Sequence, residues 1–516
     1  MVGFKWQARR ACFSMPGKVL SAAVVGLEAE LVEVEADIAS GLPKFFIVGL
    51  PDLAVQEARE RVRSAIKNSA ARFPTTRVTV NLAPADMKKE GPGFDLPIAV
   101  SILMASRQIQ PVSSDALFIG ELSLEGYLRP VTGTLSIMQA ARRHGLRQIF
   151  LPAANAAEAA LIPGLEVYPV QSLNALIAHL EGTTPLTVFT QTASKRECLE
   201  YPVNFSQIKG QEQAKRALEI AAAGGHNLLF SGPPGSGKTL LAKALISILP
   251  ELELEESLEV TQIYSISGLI APERPMIWQR PFRSPHHTAS AASLIGGGRI
   301  PRPGEISLAH RGVLFLDELP EFPRVVLESL RQPLEDGVIH VSRVHGSLRF
   351  PARFILVAAQ NPCPCGFFGD KEKACTCSTQ QVAFYRKKIS GPLLDRIDLH
   401  LPVPRVKYEE LTSRQPAENS EMIRQRVVAA RTIQRKRFHG QGKYVNSEMD
   451  SREIARHCEL NSKTGDLLRS AMTRLQLSAR SYSRLLKVGR TIADLESSPI
   501  IQIHHVAEAL QYRFME

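Results

Sequence analysis

The sequence predicts an α/β protein whose central part is built on a parallel sheet. Between residues 205 and 404, short apolar runs alternate with segments of helical periodicity, which is the pattern of a parallel sheet connected by helices. A glycine-rich loop lies between one of these runs and the helical segment that follows it. A chain of 516 residues is also too long for a single hydrophobic core. We therefore expect two or three domains.

Changes in composition divide the chain into segments. Residues 1–18 form an N-terminal extension, and residues 19–180 mix strand-like runs with helical ones, which indicates an α+β domain. Residues 181–204 are polar, contain Thr and Pro and have no clear periodicity, so we predict a linker. Residues 205–404 form the parallel α/β core, and residues 405–516 are basic and helical.

Composition excludes several classes of protein. No apolar run is long enough to span a bilayer, and the basic start of the chain reaches Glu28 and Glu30 too early for a secretory signal. The 7 cysteines are an odd number and mostly clustered, which is unlike a disulfide framework. We therefore predict a cytoplasmic protein with reduced thiols. The net charge of +11 fits either a polyanionic partner such as nucleic acid or a generally basic, solvated surface.

The strongest motif is the phosphate-binding loop, GPPGSGKT, which follows an apolar strand at residues 227–231 and precedes a helix. Glycines let backbone N–H groups surround phosphates without Cβ clashes, and the helix N-terminus adds positive potential. Lys238 would contact the β and γ phosphates, and the Thr239 hydroxyl would ligate Mg²⁺. The strand-loop-helix context argues against a glycine-rich turn that binds nothing. The predicted nucleotide-binding residues are Gly232, Pro233, Pro234, Gly235, Ser236, Gly237, Lys238 and Thr239.

Polar residues follow two further apolar strands. Asp317 and Glu318 come directly after the strand at residues 313–316, at the edge where ligands bind in parallel sheets. Asp317 would hold Mg²⁺ through water, and Glu318 would orient and polarise the attacking water. Asn361, which ends the run RFILVAAQN, would contact the γ-phosphate or the attacking water and so act as a sensor of the nucleotide. An asparagine before a proline is also typical of a turn.

Arg396, in the stretch SGPLLDRIDLH, is a candidate for catalysis between subunits. Phosphoryl transfer spreads charge over the equatorial oxygens, and an arginine from a neighbouring subunit raises the rate by on the order of 10³–10⁵. This role requires a ring of subunits. On local grounds alone, Arg396 would instead pair with Asp395 or Asp398.

Four cysteines lie in the cysteine loop, residues 361–378, with the sequence NPCPCGFFGDKEKACTCS. A tetrahedral zinc ion takes four thiolates at about 2.3 Å each, and such a site is structural because it leaves no position open for a catalytic water. The C-x-C spacing is tighter than the usual C-x₂₋₄-C, so thiols without metal and reversible disulfides are the alternatives. The predicted zinc ligands are Cys363, Cys365, Cys375 and Cys377.

Four stretches of the sequence together resemble the ComM/YifB family of magnesium-chelatase-like AAA+ ATPases. They are SGLPKFFIVGLPD, NLAPADMKKEGPGFDLPIA, RPFRSPHHTASAASLIGGGRIPRPGEISLAHRGVLFLDELPEF and NPCPCG, and the resemblance covers residues 20–510. It implies an ATP- and Mg²⁺-dependent hexameric ring that moves along single-stranded or branched DNA. The implied activities are helicase action and branch migration in homologous recombination of incoming DNA during natural transformation, alongside other recombination proteins. The alternatives are a magnesium-chelatase-like metal-insertion subunit, a non-catalytic DNA-binding scaffold and an ATP-dependent protease.

The resemblance also implies further site residues. An insert in the second AAA+ helix, within residues 280–306, and a β-hairpin about residues 345–346 face the central pore in related rings. The implied DNA contacts, which are ordinary surface charges in the alternative reading, are Arg299, Arg302, Arg343, Arg349, Lys371 and Lys373. Arg480 matches the second sensor arginine best, with Arg484 as the second choice. A basic helix face in contact with solvent or DNA is the competing explanation for both.

The N-terminal domain resembles the proteolytic domain of Lon in the stretches EGPGFDLPIAVSIL and GELSLEGYLRPVTGTLSIMQAARRHG. A Ser–Lys protease needs a nucleophilic hydroxyl and a lysine whose pKa is lowered by burial. This chain has Gly93 in place of the serine and Ile137 in place of the lysine. We therefore expect a Lon-like (ribosomal S5 domain 2-like) fold without peptidase activity, serving assembly or substrate gating. Ser101 and Lys88 or Lys89 lie nearby without a spacing that pairs them.

The basic C-terminal region begins with an amphipathic helix predicted over residues 420–438. Ile423, Val427 and Ala430 form an apolar stripe at helical spacing, which is typical of a helix packed on a core. The opposite face would contact nucleic-acid phosphates or solvent. Its basic residues are Arg424, Arg426, Arg431, Arg435, Lys436 and Arg437.

Overall fold

The chain forms two compact units in a computed structural model, which are described separately. The structure describes residues 17–190, 201–298, 302–343, 346–370, 372–412, 418–475 and 477–513. Unit 1 takes its described residues from Met1–Lys195 and Thr261–Ile277, and unit 2 from Arg196–Val260 and Trp278–Glu516. Residues 261–277, which the sequence assigns to the α/β core, thus group with unit 1. Among the described residues, no helix combines the length and apolar character that a membrane span needs.

Unit 1 contains a mixed sheet and helices. Its strands are β1 (Gly17–Val25), β2 (Glu28–Ala39), β3 (Lys44–Val48), β4 (Arg77–Ala83), β5 (Ala116–Phe118), β6 (Glu121–Leu122), β7 (Leu128–Arg129), β8 (Gln148–Pro152) and β9 (Glu166–Val170). Its helices are α1 (Leu53–Asn68), α2 (Asp95–Ala105), α3 (Thr134–Arg143), α4 (Ala156–Ala159) and α5 (Leu173–Leu180). The sheet order is β3-β4-β2-β1-β5-β8-β9. β2 pairs antiparallel with β1 and β4, and the remaining neighbours are parallel.

Alternation of side chains explains how the sheet of unit 1 packs. In β2, Val32, Val34 and Ala36 are fully buried, whereas the acidic residues between them point to the opposite, partly exposed face. α1 begins at Asp52, whose carboxylate accepts a hydrogen bond from the Val55 backbone N–H at 2.8 Å. The strand-like runs and helical runs of the sequence are therefore confirmed as a mixed α/β unit.

Unit 2 is built on a parallel sheet with helices and has a helical C-terminal part. Its strands are β10 (Leu228–Ser231), β11 (Phe282–Arg283), β12 (Gly296–Gly297), β13 (Arg302–Pro303), β14 (Val313–Leu316), β15 (Val338–Arg343), β16 (Gly346–Pro351), β17 (Ile355–Gln360) and β18 (Leu399–Pro402). The helices up to the sheet's last strand are α6 (Glu212–Gly224), α7 (Lys238–Ile248), α8 (Leu254–Ile266), α9 (Ala291–Ile295), α10 (Glu305–Leu308), α11 (Arg324–Ser329), α12 (Arg331–Asp336), α13 (Thr379–Arg386) and α14 (Gly391–Leu394). Those after it are α15 (Tyr408–Thr412), α16 (Ser420–Arg437), α17 (Ser451–His457), α18 (Ser462–Arg474), α19 (Ala479–Leu495) and α20 (Ile503–Gln511).

The main sheet of unit 2 has the order β11-β14-β17-β10-β18, and every neighbouring pair is parallel. All four residues of β14 are buried, as are the first five of β17, because helices cover both faces of such a sheet. The parallel sheet predicted from the alternation of apolar and helical runs is confirmed. Its carboxyl edge, where β10, β14 and β17 end, carries the motifs described below.

Two β-hairpins of unit 2 are separate from its main sheet. β12 and β13 pair antiparallel between the short helices α9 and α10, within the segment where the sequence predicts an insert. β15 and β16 pair from Val338↔Pro351 to Arg343↔Gly346, which confirms the second hairpin. Gly346, which the sequence placed at the turn, is the first residue of β16, and His345 lies outside the described part of the chain.

Most of the basic side chains of α16 reach solvent, and Arg426 is 42% exposed, but most of them are also paired within unit 2, which the sequence did not predict; contact with nucleic acid stays a prediction. The apolar stripe is buried as predicted. However, five of the six basic side chains form internal contacts: Arg424 with Glu421, Arg426 with Glu219 and Glu418, Arg431 with the Ala222 carbonyl, Arg435 with Glu253, and Arg437 with Asp494. Lys436 is exposed. Glu421 and Glu418 lie in or next to the helix, whereas Glu219, Glu253 and Asp494 come from elsewhere in the chain, and a local interpretation of the helix could not find these three.

Candidate nucleotide-binding site

The phosphate-binding loop connects β10 to α7 and is shaped by glycines. Gly235 and Gly237 have φ angles of 77° and 88°, which side chains other than glycine rarely adopt. Gly232 is required for a different reason, because a Cβ there would lie 2.0 Å from the Val403 carbonyl oxygen. The loop thus passes closely against the chain that follows β18. α7 begins at Lys238, so the helix N-terminus points at the loop.

Lys238 and Asn361 meet at the carboxyl edge of the sheet. The Lys238 Nζ donates to the carbonyls of Gly232 at 2.7 Å and Pro233 at 2.9 Å. It also lies 3.3 Å from Oδ1 of Asn361, because β17 runs beside β10 and ends at the same edge. Burial lowers the pKa of Lys238, and the nearby carboxylates of Asp317 and Glu318 partly offset that effect. The lysine and the predicted sensor asparagine are therefore neighbours.

Thr239 and Asp317 have the geometry of a magnesium site. The Thr239 Oγ1 donates to Oδ2 of Asp317 at 2.9 Å. The predicted direct Mg²⁺ ligand, Thr239, and the residue predicted to hold the ion through water, Asp317, are thus neighbours. The Glu318 backbone N–H donates to the other carboxylate oxygen of Asp317 at 2.9 Å, which fixes its orientation. The oxygen donors present thus suit Mg²⁺, which would neutralise charge on the phosphates when bound.

His287 is a candidate that the motif analysis missed. Its Nδ1 lies 3.4 Å from Oε2 of Glu318, the residue predicted to polarise the attacking water. Glu318 itself has a φ of 53°, a left-handed conformation that is uncommon outside glycine and recurs at functional sites. The sequence feature that could have identified His287 is the pair of adjacent histidines shortly after β11, because this strand ends at the same carboxyl edge of the sheet as β14.

Arg396 lies at the opposite, amino edge of the sheet. It precedes β18 by three residues, and its carbonyl accepts a hydrogen bond from Asn227, just before β10. The side chain is buried with 7% exposure and contacts the Pro392 carbonyl and Glu335, while its Nε has no partner among the described residues. The local alternative, pairing with Asp395 or Asp398, is not what the structure shows.

The second sensor candidates occupy the same region of unit 2. Arg480 is 58% exposed and lies 3.5 Å from Glu335, so Glu335 contacts both Arg480 and Arg396. Arg484 instead donates at 2.7 Å to buried Asp398. Burial would raise the pKa of Asp398, but the Arg484 charge and the hydrogen bond from His226 hold it far below its usual value. Arg484 is thus held in a buried ion pair, so the exposed Arg480 is the better candidate for the second sensor arginine.

A cavity of about 560 Å³ opens at this amino edge. Arg396, Arg480, Arg484 and Glu335 line it, together with other basic side chains. Its volume is in the range of pockets that hold small ligands. The predicted arginines of phosphoryl transfer thus line one cavity, whereas Lys238 and Glu318 of the same chain lie at the other edge of the sheet.

The four cysteines of the cysteine loop converge. Their Sγ atoms all lie within 4.8 Å of one another, and three of the pairs are separated by 3.4, 3.5 and 3.6 Å. A tetrahedral zinc ion with bonds of about 2.3 Å places sulfurs about 3.8 Å apart, so the cluster fits this ion. All four thiols are free in this structure, whereas a disulfide would bring two sulfurs to about 2.0 Å. Backbone N–H groups of Phe367 and Thr376 lower the pKa of Cys365 to about 5, which favours a thiolate.

The predicted DNA contacts are only partly within the described residues. Arg302 in β13 and Arg349 in β16 are exposed, and the Lys373 ammonium lies 4.2 Å from the centre of the Phe367 ring. Arg343 ends β15, but its side chain lies outside the described part of the structure. Arg299 and Lys371 also lie outside the described residues. Contact with DNA therefore stays a prediction for all six.

Unit 1 has no Ser–Lys pair at the positions that the Lon resemblance assigns. Ile137 is 4% exposed and buried in α3, and Gly93 has no side chain. Ser101 donates to the carbonyl of Ile98 at 2.8 Å. Buried Lys89 donates to the Pro84 carbonyl, so neither nearby residue is poised against the other.

Comparisons with known proteins match nearly the whole chain. The family model described as "Magnesium chelatase, subunit ChlI" matches residues 204–411. "Subunit ChlI of Mg-chelatase" matches residues 34–155, and "Magnesium chelatase, subunit ChlI C-terminal" matches residues 417–513. These three matches agree with the order of the α+β unit, the parallel sheet and the C-terminal helices.

Individual relatives extend over the same length. The competence protein ComM of Haemophilus influenzae is 46% identical over 509 residues, which are 96% of this chain and 97% of the relative. The uncharacterized protein YifB of Escherichia coli is 46% identical over 497 residues, 96% of each protein. A Lon protease of Rhizobium meliloti is 24% identical over 214 residues, 39% of this chain and 26% of that protein.

Proposed function

The chain belongs to the ComM/YifB family of magnesium-chelatase-like AAA+ proteins, and we propose that it is an ATP-dependent DNA motor. It would work as a hexameric ring in the cytoplasm and would drive helicase action and branch migration. The relative named a competence protein supports a role in recombination of incoming DNA during natural transformation. ATP with Mg²⁺ is the energy source that the loop and its carboxylates support.

One observation carries the proposal. Lys238, Thr239 and Asp317 lie at the carboxyl edge of the sheet, whereas Arg396 and Arg480 lie at its amino edge. The strands between these edges have four to six residues, so the two groups are separated by roughly 13 Å or more. An arginine side chain does not span that distance. Both arginines would therefore act on the nucleotide of a neighbouring chain, as a head-to-tail ring requires.

Two features support DNA as the polymer that the ring moves. The hairpins β12–β13 and β15–β16 carry exposed arginines, Arg302 and Arg349, suited to phosphates. The net charge of +11 also favours a polyanion, although the basic face of α16 is neutralised by internal acids and does not add to this argument. We further propose that the four clustered thiols hold a structural zinc ion.

Magnesium-chelatase-like metal insertion is the second candidate function. The three family matches, each to the magnesium-chelatase subunit ChlI, favour it. The likeness to a Lon protease does not decide between the two functions, because a family model described for the ChlI subunit matches residues 34–155 of unit 1. A motor is expected to respond to DNA, whereas a metal-insertion subunit is not.

ATP hydrolysis with and without single-stranded DNA distinguishes these functions. The purified protein is expected to hydrolyse ATP faster when the DNA is added, and Lys238→Ala should abolish both rates. A wild-type rate that is the same with and without DNA, over a range of salt concentrations, would favour the metal-insertion function instead.

A further inference from the structure

We propose that the cysteine loop is a zinc-ordered support for the phosphate-binding loop, so that zinc at its four cysteines is required for tight nucleotide binding. This inference rests on the proposed nucleotide site. It goes beyond a structural metal, because it assigns the metal an effect on the chemistry of that site. Three sets of contacts carry the inference.

The first contact is between Gly366 and Pro234. Gly366 directly follows the ligand Cys365, and a Cβ added to it would lie 2.6 Å from Cδ of Pro234 in the phosphate-binding loop. Carbon atoms in contact are normally about 3.5–4.0 Å apart, so the Gly366 backbone packs on the Pro234 ring with no space for a side chain. The cysteine loop therefore forms one wall of the phosphate-binding loop.

The second contact runs through the predicted sensor. Asn361 stands two residues before Cys363, and its Oδ1 lies 3.3 Å from Nζ of Lys238. Cys363 is fully buried and its Sγ accepts a hydrogen bond from the Phe368 backbone N–H. A metal bound to Cys363 would therefore fix the chain directly behind the asparagine that contacts the catalytic lysine.

The third contact ties the cysteine loop to the other flank of the site. The Arg405 guanidinium stacks over the Phe367 ring at 5.5 Å and lies 3.3 Å from Asp370. Arg405 continues the chain from Val403, whose carbonyl packs on Gly232 of the phosphate-binding loop. On this flank the cysteine loop is thus linked to the phosphate-binding loop indirectly, through the segment from Val403 to Arg405.

Apolar burial contributes little to the order of the cysteine loop. Among its described residues, only Cys363 and Gly366 are buried, and the rest are exposed or partly exposed. Such a segment cannot be ordered by apolar burial. In small modules the binding free energy of a structural zinc site is large enough to drive folding, so such a site suffices to order a short loop.

The first experiment measures metal content. Purified wild-type protein should contain one zinc per chain by elemental analysis, and the double variant Cys365→Ser/Cys375→Ser should contain none. Cys458→Ala, which removes a buried thiol outside the cysteine loop, should keep the zinc. Lys238→Ala should also keep it while losing nucleotide. Wild-type protein that is folded and active but free of zinc would overturn the proposal.

The second experiment measures the coupling with a matched pair of glycines. Gly366 and Gly369 have similar φ angles, 86° and 75°, but nothing lies within 4 Å of a Cβ added to Gly369. Affinity for a fluorescent ATP analogue should fall by on the order of tenfold to a hundredfold in Gly366→Ala and change little in Gly369→Ala, with zinc retained in both. The zinc-free double variant should lose affinity like Gly366→Ala while its circular dichroism stays native.

These outcomes separate the inference from the proposed function. Equal nucleotide affinity in Gly366→Ala, the zinc-free variant and wild type would overturn the coupling even if DNA stimulates hydrolysis. Conversely, the coupling would stand if nucleotide binding follows zinc and Gly366 while DNA has no effect on hydrolysis. In that case only the proposed DNA motor would fail.

Discussion

An equal mixture of Glu318→Gln and Arg396→Ala proteins is expected to recover ATPase activity that neither variant has alone. In the proposed ring, each complete site would need Glu318 from one chain and Arg396 from the next, because the two residues lie at opposite edges of the same sheet. β18, which begins three residues after Arg396, has 4 residues and spans roughly 13 Å. An Arg396 side chain therefore cannot complete the site of its own chain.

The expected recovery follows from this geometry. Loss of the arginine costs on the order of 10³–10⁵ in rate, so rings made of either variant alone should be nearly inactive. In rings assembled at random, half of the sites have an intact Glu318, and half of those face an intact Arg396. If the sites act independently, the mixture should reach about a quarter of the wild-type rate.

Phosphate release after subunit exchange is the assay. The matched control is a mixture of Glu318→Gln with Lys238→Ala, in which both defects lie on the same side of the subunit boundary, so that no arrangement restores a complete site. Because Arg396→Ala removes a buried side chain, thermal melting is needed to check that this variant is folded. A mixture no more active than its two components would refute the assignment of Arg396 to a neighbouring site.

Two further predictions concern ion pairs. Glu335→Gln should raise the ATPase rate by up to about fivefold, because Glu335 is half exposed and its ion pair with Arg396 competes weakly for the guanidinium. The control, Asp336→Asn on the same helix, should leave the ATPase rate unchanged. A lower rate for Glu335→Gln would contradict the idea that Glu335 holds Arg396 back from the neighbouring site. Burial of Glu259 opposes its charged form, but the hydrogen bond from His310 and the charge of Arg311 outweigh burial and lower its pKa from 4.5 to about 2. This depressed pKa contributes stability above pH 4.5 that is lost as the pH falls towards 2, so the melting temperature of wild type should fall more steeply between pH 5 and pH 3 than that of Glu259→Gln.

The nucleotide edge of the sheet was predictable because local sequence determines it. A buried strand followed by a glycine-rich loop or an acidic pair leaves few alternatives for where these residues lie, and parallel strands bring their ends together. Lys238, Asp317 and Asn361 are close in space for this reason. The convergence of the four thiols was also expected, since all of them come from one short loop.

The remaining features depend on partners that are distant in sequence. Glu335 contacts Arg396 and Arg480, which are 61 and 145 residues away along the chain. The arginines of α16 pair with acids up to 207 residues away, so a face that looks free in the sequence is neutralised in the fold. His287 reaches Glu318 only because β11 and β14 are neighbours in the sheet. Neither hydrophobic periodicity nor a local motif predicts such contacts between residues that are distant in sequence.

Separation of a forked DNA duplex in the presence of ATP tests the central claim most directly. Wild-type protein is expected to release the labelled strand, whereas Glu318→Gln should bind ATP and assemble but leave the fork intact. Strand release by Glu318→Gln at the wild-type rate, or no release by a wild-type protein that hydrolyses ATP and binds the fork, would contradict an ATP-driven DNA motor.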